Sequence, residues 1–292
     1  MKKINNGNLK LAVQKDGRLA TESINLLKKA GLEFESYTRS LFTTVKNFPL
    51  EILYLREKDI PYYIQEGAAD IGIVGENIVL EQKLKVTPLN KLGFGKCNLS
   101  IAVPKESKFK TLKDLDGLRI ATSYPESTRS FLKKAGVDAS IVLIRGSVEI
   151  SPALGMADAV CDLVSTGSTL ALNDLRIIDT IFTSEALLVG AAKPSLSADK
   201  QLLLAKFLTR VEGVLSAQKS KYIMMNAPAS ILPKIKKLIP GLLSPTISPL
   251  ERAGWISIQS LVAEDVFWDT IEELKKIGAQ GILVLPIEKI IL

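Results

Sequence analysis

The sequence predicts an α/β protein: two lobes of alternating strands and helices, then a smaller C-terminal domain of βαββαβ order, the ferredoxin-like pattern. Three observations lead there. Short apolar runs bounded by glycine, proline and small polar residues recur between Lys10 and Val164, separated by segments of helical periodicity. The segment LLKKAG at Leu26–Gly31 has an echo in FLKKAG at Phe131–Gly136, each copy following a strand and loop and preceding another strand. After Gln218 the rhythm changes, and two successive strands lie between two helical stretches.

At 292 residues, with 47% hydrophobic and 24% charged positions, the chain can hold roughly two or three domains with ample cores. A formal charge of +7 and a pI near 9.2 favour anionic ligands. Lysine and arginine are scattered and aromatic residues make up 6% of the chain, so a phosphorylated small molecule is favoured over nucleic acid. There is no histidine, which excludes Ser-His-Asp and Cys-His catalysis and any histidine-ligated metal. A divalent cation held by carboxylates and phosphate oxygens stays open. Cys97 and Cys161 read as buried small hydrophobes in a reducing compartment. No apolar run approaches transmembrane length and the opening MKKINNGNLKLAV lacks a signal-peptide core, so a cytoplasmic location without a membrane partner is expected.

Taken in order, Lys10–Gln14 is a strand, Lys15–Arg18 a basic loop, and Leu19–Ala30 an amphipathic helix capped by Gly31. Glu51–Arg56 is a strand, followed by a helix over Tyr62–Gly67 started by Pro61. Asp70–Asn77 is a strand entering a tight turn, with Glu76 at the C-terminal end of the strand, where open α/β sheets place ligand groups. Asn98–Pro104 reads as a strand leading out of the first lobe. Thr111–Gly117 is a short helix, Leu118–Thr122 a strand, Arg129–Ala135 a helix opened by Ser123–Thr128, and Ile141–Ile144 a strand. Pro152–Asp158 is a short helix or turn, Ala159–Val164 a buried parallel strand, Ile181–Gly190 a further strand region, and Lys200–Gln218 a long amphipathic helix. The last domain comprises a strand at Lys221–Met225, a helix at Ser230–Ile239, strands at Pro245–Leu250 and Trp255–Val262, a helix at Asp265–Ile277 and a strand at Gly281–Ile287.

The stretch ADAVCDLVSTGSTLAL at Ala157–Leu172 carries the chemistry. A strand empties through Ser165-Thr166-Gly167-Ser168-Thr169 into a helix start, which aims free backbone N–H groups and hydroxyls at one point. An anion site and a Ser/Thr-capped βα turn without a ligand both fit that loop. Glu149 and Asp162 stand ahead of it, at the ends of successive strands. Two carboxylates repel a bare phosphate but suit a ligand that also brings ribose hydroxyls or a metal ion, which points to a sugar phosphate.

From Glu149 to Leu170 the chain strongly resembles the ATP phosphoribosyltransferase family, through Glu149, Gly155, Ala157, Val160, Asp162, Thr166, Gly167, Thr169 and Leu170, each at the family spacing. LAVQKDGRL, REKDIP, ADIGIVGEN, RIATSYP, SKYIMMNAP and GILVLPIEKI look like family segments too, so the resemblance covers nearly the whole chain, in the long form with its own regulatory domain. It implies a two-lobed, periplasmic-binding-protein-like catalytic region, with residues 1–105 and 184–217 as one lobe and 106–183 as the other, and a regulatory domain over 218–292. It implies that N1 of the ATP adenine is joined to the anomeric carbon of phosphoribosyl pyrophosphate with Mg2+ present, the first step of histidine biosynthesis.

By the same resemblance, Asp162, Glu149 and Arg18 carry the reaction. Asp162, Ser165, Thr166, Gly167, Ser168 and Thr169 bind phosphoribosyl pyrophosphate, and Lys15, Arg18, Arg56, Glu76 and Tyr124 meet ATP. Glu149 or Asp162 is the carboxylate for a metal arriving with substrate. L-histidine, and AMP beside it, are the expected inhibitors, with Asn226, Ala227, Ser230 and Gly281 as loop-end candidates for the histidine contact. A homo-oligomer between dimer and hexamer is expected. Two alternatives stand against this reading: a solute-binding module of the same fold, and another phosphoribosyltransferase, a class that usually shows paired adjacent acids where this chain has Asp162 alone.

Overall fold

The computed structural model describes residues 7–35, 40–193, 196–239, 241, 244–264 and 267–291. Asp265 and Val266, expected to open the last helix, lie outside the described residues. The chain runs β1 (Leu9–Gln14), α1 (Ala20–Lys29), β2 (Phe42–Thr44), β3 (Leu50–Leu55), α2 (Ile60–Gln65), β4 (Ile71–Gly75), α3 (Glu76–Gln82), β5 (Val86–Lys91), β6 (Cys97–Pro104) and β7 (Arg119–Thr122). It continues through α4 (Pro125–Ala135), β8 (Ser140–Leu143), β9 (Ala159–Val164), α5 (Ser168–Leu172), β10 (Leu175–Ser184), β11 (Ala186–Ala191) and α6 (Ala198–Gln218). The last elements are β12 (Ser220–Pro228), α7 (Leu232–Leu238), β13 (Thr246–Pro249), β14 (Trp255–Ala263), α8 (Phe267–Lys276) and β15 (Gln280–Pro286).

Three sheets result. The first is six-stranded, in the order β2-β3-β1-β4-β11-β5, and the second five-stranded, β10-β6-β9-β7-β8. β1 runs parallel to both β3 and β4, and β7 parallel to both β8 and β9. Such strands read as near-continuous apolar runs because helices and loops cover both their faces: β1, β3 and β4 are buried almost throughout. Parallel strands also empty in one direction. The loops after β1, β3 and β4 therefore share one edge of the first sheet, and those after β7, β8 and β9 share one edge of the second. A common apolar core joins the layers, with Ala12, Leu53 and Val74 from the first sheet and Leu99, Ile120 and Cys161 from the second.

The third sheet, β13-β14-β12-β15, is antiparallel throughout, and with α7 and α8 it has the βαββαβ order and strand arrangement of a ferredoxin-like domain. Its core holds Ile223, Met225, Ile235, Ile258 and Leu274.

By packing density the chain divides into Met1–Asn25 with Glu33–Gln201, and Leu26–Leu32 with Leu202–Leu292. Most of α6 thus belongs to the unit holding the third sheet, where Ile290 N donates to Gly213 O at 2.9 Å. The expected boundary after residue 217 puts that helix with the first lobe.

Several local expectations change. Asn98–Pro104, read as an exit from the first lobe, is β6 and pairs with β9 and β10 inside the second sheet. β9 is therefore parallel to β7 on one side and antiparallel to β6 on the other, not a strand in a purely parallel sheet. The single strand region Ile181–Gly190 is two strands broken at Glu185, because the chain crosses there from the second sheet to the first. Of the two forms open for Pro152–Asp158, helix or turn, the chain takes the turn; Arg119 holds it, donating from Nη1 to Gly155 O at 3.1 Å and from its backbone N–H to Asp158 at 2.9 Å. Glu149 lies in a 3-10 turn, Val148–Ile150, rather than at a strand end.

Candidate active site

The loop after β9 takes its shape from Gly167, whose φ of +79° is left-handed. A Cβ there would meet nothing closer than Val164 Cγ1 at 4.0 Å, so the requirement for glycine is conformational rather than steric. Around it Ser165, Thr166, Ser168 and Thr169 are exposed, and the Thr166 and Ser168 hydroxyls are 3.0 Å apart. Helix α5 is short, and Asn173 Nδ2 donates to Thr169 O at 2.9 Å near its end.

Asp162 is half-buried three positions before the loop, and its Oδ1 accepts from the Leu163 N–H at 2.8 Å. Burial raises its carboxyl above the usual range, the Leu163 N–H opposes that, and the charge of Glu149 raises it further. The two acids are thus electrostatic neighbours. Among the described residues no cluster of three or more metal-ligating side chains occurs. An acid pair of this kind is too sparse for a resident metal site but fits a Mg2+ ion that keeps its waters and arrives on substrate phosphates. Cys161, beside Asp162, is no nucleophile: it is fully buried and burial pushes its thiol up to about 12.

On the first sheet, Gln14 shapes the loop after β1. Its Oε1 accepts from Leu19 N–H at 2.9 Å, and Gly17, at φ +114°, lies so close that a Cβ would stand 2.5 Å from Gln14 Nε2. Lys15 and Arg18 are exposed at the loop, and Arg18 Nη1 donates to the Gly95 carbonyl in the segment joining the sheets. Arg56 is exposed after β3. Glu57, which sequence reasoning passed over, follows it and accepts from Gly75 N–H at 3.3 Å. Burial raises the Glu57 carboxyl, while Arg18, the Gly75 N–H and Lys58 oppose the rise. Glu76 opens α3, half-buried, with its N–H donating to Glu185 O at 3.0 Å.

Tyr124 brings the two edges together. Its ring is buried in the shared core and its hydroxyl accepts from Asn77 Nδ2 at 3.3 Å. Burial is the main reason its phenol is raised; the charges of Asp162 and Glu57 add to this, and Asn77 and Arg18 oppose it. Asp162 from the second sheet and Glu57 and Arg18 from the first therefore act on one hydroxyl. Sequence reasoning named Asp162, Arg18 and Tyr124. It missed Glu57 and Asn77, although both stand in the family-like segments REKDIP and ADIGIVGEN, beside Arg56 and Glu76. Among the described residues no side-chain hydrogen bond or ion pair ties Lys15 or Arg56 to that cluster, and both stay exposed.

In the third sheet's domain, Asn226 is half-buried, Ala227 buried and Ser230 exposed, and Asn226 pairs in register with Gln280. Gly281 lies beside Asn226, and of the four it alone lines the depression of about 780 Å³ between α8 and β15. Ala227 packs its side chain into the core, so it offers a ligand only its backbone.

The strand C-termini of one sheet carry a glycine-centred hydroxyl loop and those of the other a basic loop, the kind of strand-end groups with which open α/β proteins meet phosphorylated ligands. The model of the family "ATP phosphoribosyltransferase" matches residues 56–213, and that of "HisG, C-terminal domain" matches residues 217–289. The ATP phosphoribosyltransferase of Cytophaga hutchinsonii is 50% identical over 97% of this chain and 98% of its own, and that of Parabacteroides distasonis 47% identical over 97% and 99%. The solved ATP phosphoribosyl transferase (HisG:HisZ) complex from Thermotoga maritima contains a chain 30% identical, covering 72% of this chain and 98% of its own, with a TM-score of 0.63. The chain belongs to the ATP phosphoribosyltransferase family, in its long form, the pentosyltransferases of the first step of histidine biosynthesis.

Proposed function

We propose that the chain joins N1 of the ATP adenine to the anomeric carbon of phosphoribosyl pyrophosphate; the N1–C1 bond forms as the bond from C1 to the pyrophosphate oxygen breaks. The likeness to the ATP phosphoribosyltransferases carries this reading, and the Asn77–Tyr124 hydrogen bond, which ties the strand-end edges of the two sheets together, supports it. Thr166, Gly167, Ser168 and Thr169, with Ser165 at their edge, hold the 5′-phosphate through N–H groups and hydroxyls. Asp162 takes the ribose hydroxyls, and Glu149 supports it. Arg18, Lys15 and Arg56 meet the charge of ATP and of the departing pyrophosphate, and Glu76 and the edge of Tyr124 border the base. Asp162 and Glu149 are the carboxylates for Mg2+, which when bound neutralises charge on the pyrophosphate. The residues themselves work by positioning a weak nucleophile and stabilising a leaving group, so the absence of histidine is compatible with the chemistry.

The domain over 218–292 is the regulatory one in this reading. It binds L-histidine near Asn226, Ser230 and Gly281, AMP competes at the ATP side, and the cytoplasmic protein assembles from dimers to a hexamer. Histidine can inhibit only by binding an inactive state more tightly than an active one. The test is direct. Purified chain with ATP, phosphoribosyl pyrophosphate and Mg2+ should form phosphoribosyl-ATP, and added histidine should suppress it; a protein that binds both substrates without forming product is a binding module instead.

A further inference from the structure

The start of α4 is a helix N-terminus whose donors can be fully accounted for. Tyr124, at the N-cap, makes no side-chain cap, and Pro125 at the first helical position has no N–H. The next two N–H groups, of Glu126 and Ser127, donate at 2.9 Å each to the two carboxylate oxygens of Glu81, and Thr128 N–H makes the first bond back along the helix, to Tyr124 O at 3.1 Å. Glu81 is not part of α4's own chain neighbourhood. It belongs to α3, which leaves the first sheet after β4, whereas α4 leaves the second sheet after β7. The anion-binding end of one lobe's helix is thus filled by a carboxylate from the other lobe.

The same pair of helices is joined on either side of that contact. Asn77, one helical turn before Glu81, donates to the Tyr124 hydroxyl at 3.3 Å, and Lys83 pairs with Glu126 at 3.1 Å. The chain itself links the two sheets only through the segments β5 to β6 and β10 to β11. Two charge-assisted bonds to a helix start are strong for their size, and the helix start they fix follows directly on Tyr124, whose hydroxyl Asn77 of α3 holds.

We propose that Glu81 is a positioning residue of the active site: its carboxylate stands in for a bound anion at the N-terminus of α4, clamps that helix to α3, and so holds Tyr124 against Asn77 with the two substrate-binding edges in register. The phosphate loop at Ser165–Thr169 lies wholly within the second sheet's layer, so it does not need the clamp; joining the ATP side to it does. This rests on the reading given under Proposed function.

The experiment uses the full chain and Glu81→Ala, with formate as the probe that can refill the vacated anion position. For Glu81→Ala, kcat/KM for ATP should fall by about tenfold or more while the Kd for phosphoribosyl pyrophosphate stays within about twofold. Formate should recover activity in Glu81→Ala but not raise it in the wild type, with chloride at equal ionic strength as control. Hydrogen exchange at the Glu126 and Ser127 amides should quicken in the variant and slow again with formate. Equal losses for both substrates, or no formate effect on rate and exchange, would overturn the proposal. If the wild type forms no product, the catalytic reading falls, and the exchange response alone decides the clamp. Should Glu81→Ala fail to fold, Glu81→Gln keeps one acceptor; it should show the same selective loss at smaller amplitude, and unchanged kinetics in it would count against the clamp.

Discussion

Asn77 Nδ2 donates to the Tyr124 hydroxyl at 3.3 Å, and both groups are buried although they belong to helices of different sheets. A buried bond of this kind costs more to break than it contributes when formed, because the abandoned donor stays out of water. Tyr124→Phe leaves the ring and its packing but removes the acceptor. It should lower stability by about 1–2 kcal/mol in denaturant unfolding, and reduce kcat/KM for ATP more than for phosphoribosyl pyrophosphate in initial-rate assays.

Thr169 tests the phosphate assignment. Its hydroxyl is exposed in the loop, so the fold should not depend on it. Loss of a hydrogen bond to a charged phosphate is worth roughly tenfold or more in affinity. Thr169→Ala should weaken phosphoribosyl pyrophosphate by that factor in calorimetric titration and leave ATP nearly unchanged. Equal weakening of both ligands would remove the 5′-phosphate from this loop.

Glu57 gives a pH dependence with a definite sign. Its carboxyl is raised in the folded protein, chiefly by burial, so the folded state holds a proton that the unfolded state has already released. Stability is therefore lost as pH rises from the unfolded carboxyl's pKa through the raised folded one, and the ionised group is a net cost at neutral pH. Glu57→Gln keeps an acceptor for the Gly75 N–H and should unfold at higher urea than the wild type at pH 7. The difference should vanish below about pH 4, where both carboxyls are protonated. A gain that persists in acid would point to packing rather than charge.

Lys200 Nζ lies 2.8 Å from Asp70 Oδ2, with side-chain exposures of 15% and 9%, and Asp70 also accepts the Lys10 N–H at 2.7 Å. Removing one partner strands a mostly buried charge. Lys200→Met should cost about 3 kcal/mol, read as a shift of the urea midpoint at unchanged slope, and adding Asp70→Asn should recover part of it. A single-variant loss as small as that of an exposed pair would show that the aspartate finds water or another partner.

What the sequence determined by itself was local and periodic. β9 is Ala159–Val164 as expected, α6 begins two residues early, and the βαββαβ order of the last domain holds, because short apolar strands and amphipathic helices are written in hydrophobic period and punctuated by glycine and proline. The loop around Gly167 and the acid before it were legible for the same reason: their chemistry lies in consecutive residues. The tertiary structure decided what consecutive residues cannot show. β6 gave no sign of which sheet it joins, since an apolar strand suits either, and the break at Glu185 is invisible when the chain stays extended on both sides of it. Glu57, Asn77 and Glu81 carry no motif of their own. Their roles come from Gly75, Tyr124 and the amides of Glu126 and Ser127, and two of those three partnerships join residues of different sheets, through distances that only the fold sets.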